Sequence, residues 1–167
     1  LGAAEKIIRD FPNLNIEFTI MGDGLERDEL IASSQERGLT NVKFAPRVCQ
    51  GSITEILQRY DILLVHLKND PLFEVTIPAK IQAYMAAGMP ILCGVRGDAW
   101  HLVKRAGCGF YFSPGDSNSL VQILEEVAGK SRYELFNIGL SGRHFYHRNL
   151  IQLIQLRLWD YIFYLNI

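Results

Sequence analysis

Short runs of apolar and β-branched residues alternate along the chain with amphipathic stretches, and glycine or proline punctuates most of the joins. Residues 15–21 predict a strand, closed by the turn Gly22-Asp23-Gly24. Residues 25–37 then predict a helix, stopped by Gly38. A short strand over 41–44 ends before Pro46, and 53–59 is helical. Residues 61–65 form a continuous apolar run, the pattern of a strand covered on both faces. Residues 78–87 predict a helix with proline in its first turn and Gly88 just past its end. Strands over 90–93 and 110–112 enclose a helix over 99–105. Asp116 is placed to cap a helix over 117–127, and 132–142 and 150–164 are helical.

Strand and helix in strict alternation, with short connections, predict a parallel sheet flanked by helices. The expected fold class is therefore α/β, a Rossmann-like domain over residues 1–147. A C-terminal amphipathic helix over 148–167 follows, with Leu150, Ile154, Leu158 and Tyr161 on one stripe and Arg157 and Asp160 interrupting any membrane span. The first residues carry neither a basic nor an apolar leader, and the domain is expected to lack its first strand. In open α/β sheets ligands bind beyond the carboxyl ends of the strands. Candidate positions are thus 22–24, 45–47, 66–68, 94–97 and 113–116.

Composition narrows the picture modestly. With 167 residues the chain has room for one ordinary domain. Its 17 Lys and Arg against 18 Asp and Glu leave a net charge of −1, which removes any general drive toward nucleic acid. Cys49, Cys93 and Cys108 show no C-x-x-C spacing, so neither a disulfide scaffold nor a zinc site is expected. His144 and His147 lack a third ligand nearby. His101 is expected to pack, and His66 beside Lys68 is a weak candidate for facing an anion.

Gly22 and Gly24 begin a dinucleotide-type fingerprint, but Arg27 stands where its third glycine belongs. The stretch 74–88 is more informative. Glu74 precedes Thr76-Ile77-Pro78-Ala79-Lys80, where a helix begins. A helix start presents unpaired N–H groups and the positive end of a dipole, a seat for a diphosphate. Lys80 in that first turn is unfavourable unless an anion offsets it, and a broken local rule of this kind points to function.

In this order, Asn41-Val42-x-Phe44, Asp61-Ile62-x-Leu64, Tyr84-Met85-Ala86-Ala87-Gly88-Met89-Pro90, Ala106-Gly107-Cys108-Gly109 and Pro114-Gly115-Asp116 resemble the C-terminal half of a family-4, GT-B-fold retaining glycosyltransferase. The donor helix Ile77-Pro78-x-Lys80-x-Gln82-Ala83-Tyr84 is similar to the bacterial surface-polysaccharide branch that transfers N-acetylfucosamine-type amino sugars, as in lipopolysaccharide O-antigen synthesis. The resemblance implies that this half binds a UDP-sugar as substrate, with no cofactor and no metal. It implies that a missing N-terminal half holds a lipid-linked or saccharide acceptor, and that the protein is cytoplasmic, touching the inner membrane only peripherally through that half. Glu74 would contact the sugar hydroxyls, residues 76–80 would receive the diphosphate with Lys80, and Arg47 and Val48 would meet the base. Isolated from the other half, the domain would bind donor weakly and transfer nothing.

The pattern departs from the family at one place. The family carries two glutamates separated by seven residues, and the second falls at Gln82 or Ala83, counted from Glu74 or Gly88. Gln82 is the expected ribose contact, a neutral bond about half as strong as a charge-assisted one. Two other readings stay open: half of a nucleotide-sugar 2-epimerase, and a Rossmann-like binding module without catalysis.

Overall fold

Eleven elements predicted by punctuation and periodicity form close to their expected places, and one helix forms where none was predicted. In the computed structural model, which describes residues 1–48 and 53–150, the order is α1 (Gly2–Asp10), β1 (Phe18–Met21), α2 (Arg27–Glu36), β2 (Val42–Ala45), α3 (Ile53–Leu57), β3 (Leu63–His66), α4 (Ala79–Ala87), β4 (Ile91–Gly94), α5 (Asp98–Ala106), β5 (Gly109–Tyr111), α6 (Ser117–Ala128) and α7 (Arg132–Phe145). A single 3-10 turn spans Pro71–Phe73, and a π-helical turn, Tyr146–Leu150, extends α7. The amphipathic helix expected over 150–164 falls, from 151 onward, outside the described residues, as does Cys49.

α1 is the unpredicted helix. Ala3, Ala4 and Ile7 are its buried stripe, the two alanines four and three residues before the isoleucine and so on its helical face. β1 is shorter than expected: residues 15–17 approach it in irregular backbone, and its ladder begins only at Phe18.

All strand pairs are parallel. β1 pairs with β2, Phe18 opposite Val42. β3 pairs with β4, Leu63 opposite Ile91, and β4 with β5, Ile91 opposite Gly109. The expected parallel strands form, among the described residues, two ladders, β2-β1 and β3-β4-β5.

β4 is buried along its whole length and separates two cores. Ile91 and Cys93 join Ile81 and Met85 of α4 and Ala99, Leu102 and Val103 of α5. Leu92, on the opposite pleat, joins Ala3 and Ile7 of α1 and Val121, Leu124 and Val127 of α6. The period-two alternation of the strand therefore builds helix, sheet and helix layers. Ile81 and Met85 are wholly buried one turn apart on α4, worth about 1.5–3 kcal/mol each in burial, and this fixes which face α4 turns outward. Gly88 ends α4 in the left-handed conformation, at φ 74°. Among the described residues no helix is long and apolar enough to cross a membrane.

Candidate functional site

The strands run parallel, so their carboxyl ends open on one side, and two groups of predicted residues lie there. The first follows β1 and β2. Gly22 closes β1 by donating its N–H to the Ala45 carbonyl at 3.2 Å. Arg47 reaches Asp23 at 3.9 Å, both side chains largely exposed, which draws the Gly22-Asp23-Gly24 turn and the Arg47-Val48 stretch together. The contact is a weak surface pair and leaves the guanidinium open to a ligand.

The second group follows β3. Asp70 caps the 3-10 turn, its carboxylate accepting from the Leu72 N–H at 2.8 Å. The Thr76 hydroxyl donates back to the Leu72 carbonyl at 3.0 Å, folding the loop onto itself just before α4. Pro78 is the N-cap of α4 rather than a residue of its first turn, and no side chain caps this helix end. Ile77, Ala79 and Lys80 are exposed and Gln82 is half-buried. Lys68, Lys80 and Arg96 form no ion pair among the described residues. No hydrogen bond or ion pair joins the two groups among the described residues; they share a side of the sheet rather than a contact.

Glu74 is anchored through its backbone. Its carbonyl accepts from the Asp98 N–H at 2.8 Å, which binds the β3–α4 loop to the start of α5. Gly97 makes this possible: at φ 66° and ψ −135° it occupies a region open to glycine, and a Cβ there would stand 2.0 Å from the Glu74 oxygen. With its main chain fixed, the exposed Glu74 carboxylate projects from a defined root.

His66 and the turn after β5 complete the floor. The His66 ring stacks on Phe112 at 5.9 Å, and its Nε2 accepts from the Gly115 N–H at 3.3 Å. Gly94, opposite His66 on β4, leaves the room: a Cβ there would meet the Phe112 ring at 2.2 Å. Burial lowers the His66 pKa, in keeping with a neutral ring that accepts. That nitrogen is committed to Gly115, so His66 does not present it to an anion. The sequence places His66 and Gly94 at strand ends, but their pairing between β3 and β4 depends on strand order, which no local pattern carries.

His101 is exposed and lines a groove of about 690 Å³ with Ile77, Asp98, Leu102, Lys104 and Arg105, a correction to its expected packing role. His144 and His147 lie on a different surface beside Phe145 and Arg148. Among the described residues no three metal-ligating side chains converge. Cys93 and Cys108 are buried free thiols, and burial pushes Cys108 up to about 12.

The model of a family described as glycosyl transferases group 1 matches residues 1–129. No curated protein matches. Among solved structures, Anabaena HepE in complex with UDP-glucose superposes with a TM-score of 0.75 at 20% identity, covering 96% of this chain and 44% of that one. HepE with UDP and glucose gives 0.73 at 20% identity, over 96% and 43%. Sucrose-phosphate synthase from Thermosynechococcus elongatus gives 0.66 at 17% identity, over 99% and 43%. The chain thus spans less than half the length of these structures, and the likeness establishes a shared fold with one half of each.

Proposed function

Since the chain belongs to the group 1 glycosyltransferase family, we propose that it is the donor-binding half of a retaining enzyme of family 4 that transfers a UDP-activated amino sugar in bacterial surface-polysaccharide synthesis. The observation that carries this reading is the start of α4. It opens beyond the carboxyl end of β3, no side chain caps it, and Lys80 stands exposed in its first turn. Uncapped N–H groups and the positive dipole end favour a diphosphate, and Lys80 adds a full charge where the leaving group becomes more negative. Support for the donor class comes from HepE, a structural neighbour whose crystal structures are complexes with UDP and with UDP-glucose.

In this reading Glu74 holds sugar hydroxyls, and the Asp98–Glu74 backbone bond spares part of the ordering entropy of that contact. Arg47 and Val48 meet the base, and Gln82 the ribose. The acceptor, saccharide or lipid-linked, belongs to a separate N-terminal half. A 2-epimerase would need further acid/base carboxylates beside Glu74; Asp98 meets the Glu74 carbonyl through its N–H, and the Asp70 carboxylate is engaged by the Leu72 N–H.

Calorimetry or ligand-observed NMR with UDP and GDP tests the assignment. The chain should bind UDP in preference; indifference between the two bases overturns the UDP-sugar reading.

A further inference from the structure

α7 buries one face and leaves the opposite one bare. Two glycines set its inner side: a Cβ at Gly139 would lie 2.1 Å from the Gly88 carbonyl oxygen, and one at Gly142 2.7 Å from the Cys108 Cβ. With Leu135 they form the buried stripe, which fixes the rotation of the helix. Gly88 is the C-cap of α4, so α7 packs at the opposite end of that helix from the candidate diphosphate seat.

Two adjacent stripes then point outward, at helical spacings of three, four and seven residues. Arg132, Phe136 and Arg143 form one, and Tyr133, Leu140 and His144 the other. Tyr133 is 73% exposed, Phe136 is 60% exposed and Leu140 is half-buried. Two aromatics this exposed, one turn apart, form a patch rather than scattered surface residues.

Charge on the same surface is one-sided. Residues 132–150 hold three arginines and one glutamate, a net +2 in a chain whose total is −1. Arg132, Arg143, His144, His147 and Arg148 are exposed and form no ion pair among the described residues. Glu134 is occupied, its carboxylate accepting from the Ser131 N–H at 2.8 Å and the Ser131 hydroxyl at 2.7 Å. Arg143 and His144 complement the negative end of the helix dipole, but Arg132 stands in the first turn and opposes it. At the carboxyl end of α7, a groove of about 760 Å³ is lined by His144, Phe145, His147 and Arg148. Arg105 of α5 reaches the same place, its guanidinium 5.1 Å from the centre of the Phe145 ring.

A single helix face is a poor seat for a protein. At 14 residues α7 presents a strip about 21 Å by about 10 Å, or about 200 Å², against about 800 Å² for each partner of a stable complex. A bilayer requires no matching shape. It suits exposed aromatics at the acyl boundary, flanked by arginines that lift their charged ends to the headgroups.

We propose that the outer face of α7 docks this domain on an anionic lipid bilayer. Tyr133 and Phe136 enter the boundary between headgroups and acyl chains, Arg132 and Arg143 flank them, and the groove of His144, His147 and Arg148 receives lipid phosphate. The surface lies apart from the start of α4, so the proposal does not rest on the donor reading.

Vesicle co-sedimentation of the native chain tests it, with about 30% phosphatidylglycerol in phosphatidylcholine beside phosphatidylcholine alone. The chain should bind the anionic vesicles about tenfold or more tightly, and high salt should release it. Tyr133→Ser/Phe136→Ser and Arg132→Gln/Arg148→Gln should each weaken binding about tenfold with unchanged circular dichroism. Phe136→Trp should keep binding and shift its emission to the blue when vesicles are added. Equal binding to neutral vesicles, no binding to either, or binding that survives both double variants would overturn the proposal. Release by about 10 mM inorganic phosphate, beyond that caused by sodium chloride of equal ionic strength, would make free phosphate the ligand and overturn it equally. So would self-association in sedimentation velocity that Tyr133→Ser/Phe136→Ser abolishes, since a second copy would then be the occupant.

Discussion

At the scale of single residues, backbone positions decide as much as the side chains that attract attention. Glu74 is predicted by its place before a helix start, yet the contact that fixes it is its carbonyl, which accepts from the Asp98 N–H because Gly97 has no Cβ to block the approach. Gly97→Ala should therefore lower stability by about 1–3 kcal/mol in urea unfolding, from strain and from displacing the Glu74 loop. A loss below about 0.5 kcal/mol would contradict the close approach. His66 gives a pH signature. Its folded pKa lies below the unfolded value of about 6.5, so its contribution to stability is present above that value and declines as pH falls toward the folded pKa. Between pH 7.5 and 5 the native chain should lose more stability than His66→Gln, whose amide oxygen can still accept from Gly115. Equal pH slopes in urea midpoints would contradict the His66–Gly115 bond. The effect is small because the ring is partly exposed.

At the scale of elements, legibility follows how local the cause is. Gly88 and Asp116 act within a turn of their own helices, so their roles are visible in the sequence and in the structure alike: Gly88 is left-handed, and Asp116 accepts from Asn118 at 2.8 Å and Ser119 at 3.2 Å. Asp116→Ala should lower stability by about 1 kcal/mol, measured by urea unfolding, and no change would remove its capping role. Ser131 and Glu134 form a reciprocal capping box at the start of α7, and its signal, Ser-x-x-Glu, is equally local. α1 carries no such local signal. It is nine residues long, three of them buried, and its stripe is two alanines and one isoleucine, so its stability comes from packing on α6 rather than from a strong pattern of its own.

At the scale of the whole molecule, the α/β class was legible because alternating elements with short joins admit few other layerings. The division into two ladders was not, since which strand neighbours which is a long-range outcome that no segment encodes alone. The candidate site inherits both properties. Its positions, at strand ends and a helix start, could be read; the pairing of His66 with Gly115 and of Glu74 with Asp98 could not. Burial of Cys93 and Cys108 is likewise a whole-fold property. Native-state thiol labelling followed by peptide mapping should leave both unmodified, and rapid labelling of either would contradict the packing around β4.

The central claim, a diphosphate seated at the start of α4, is tested most directly by binding of UDP and of uridine to the native chain and to Lys80→Ala. The account predicts that the substitution weakens UDP about tenfold or more and leaves uridine unchanged, since only the diphosphate meets Lys80. Equal weakening of both ligands, or none of either, would contradict it.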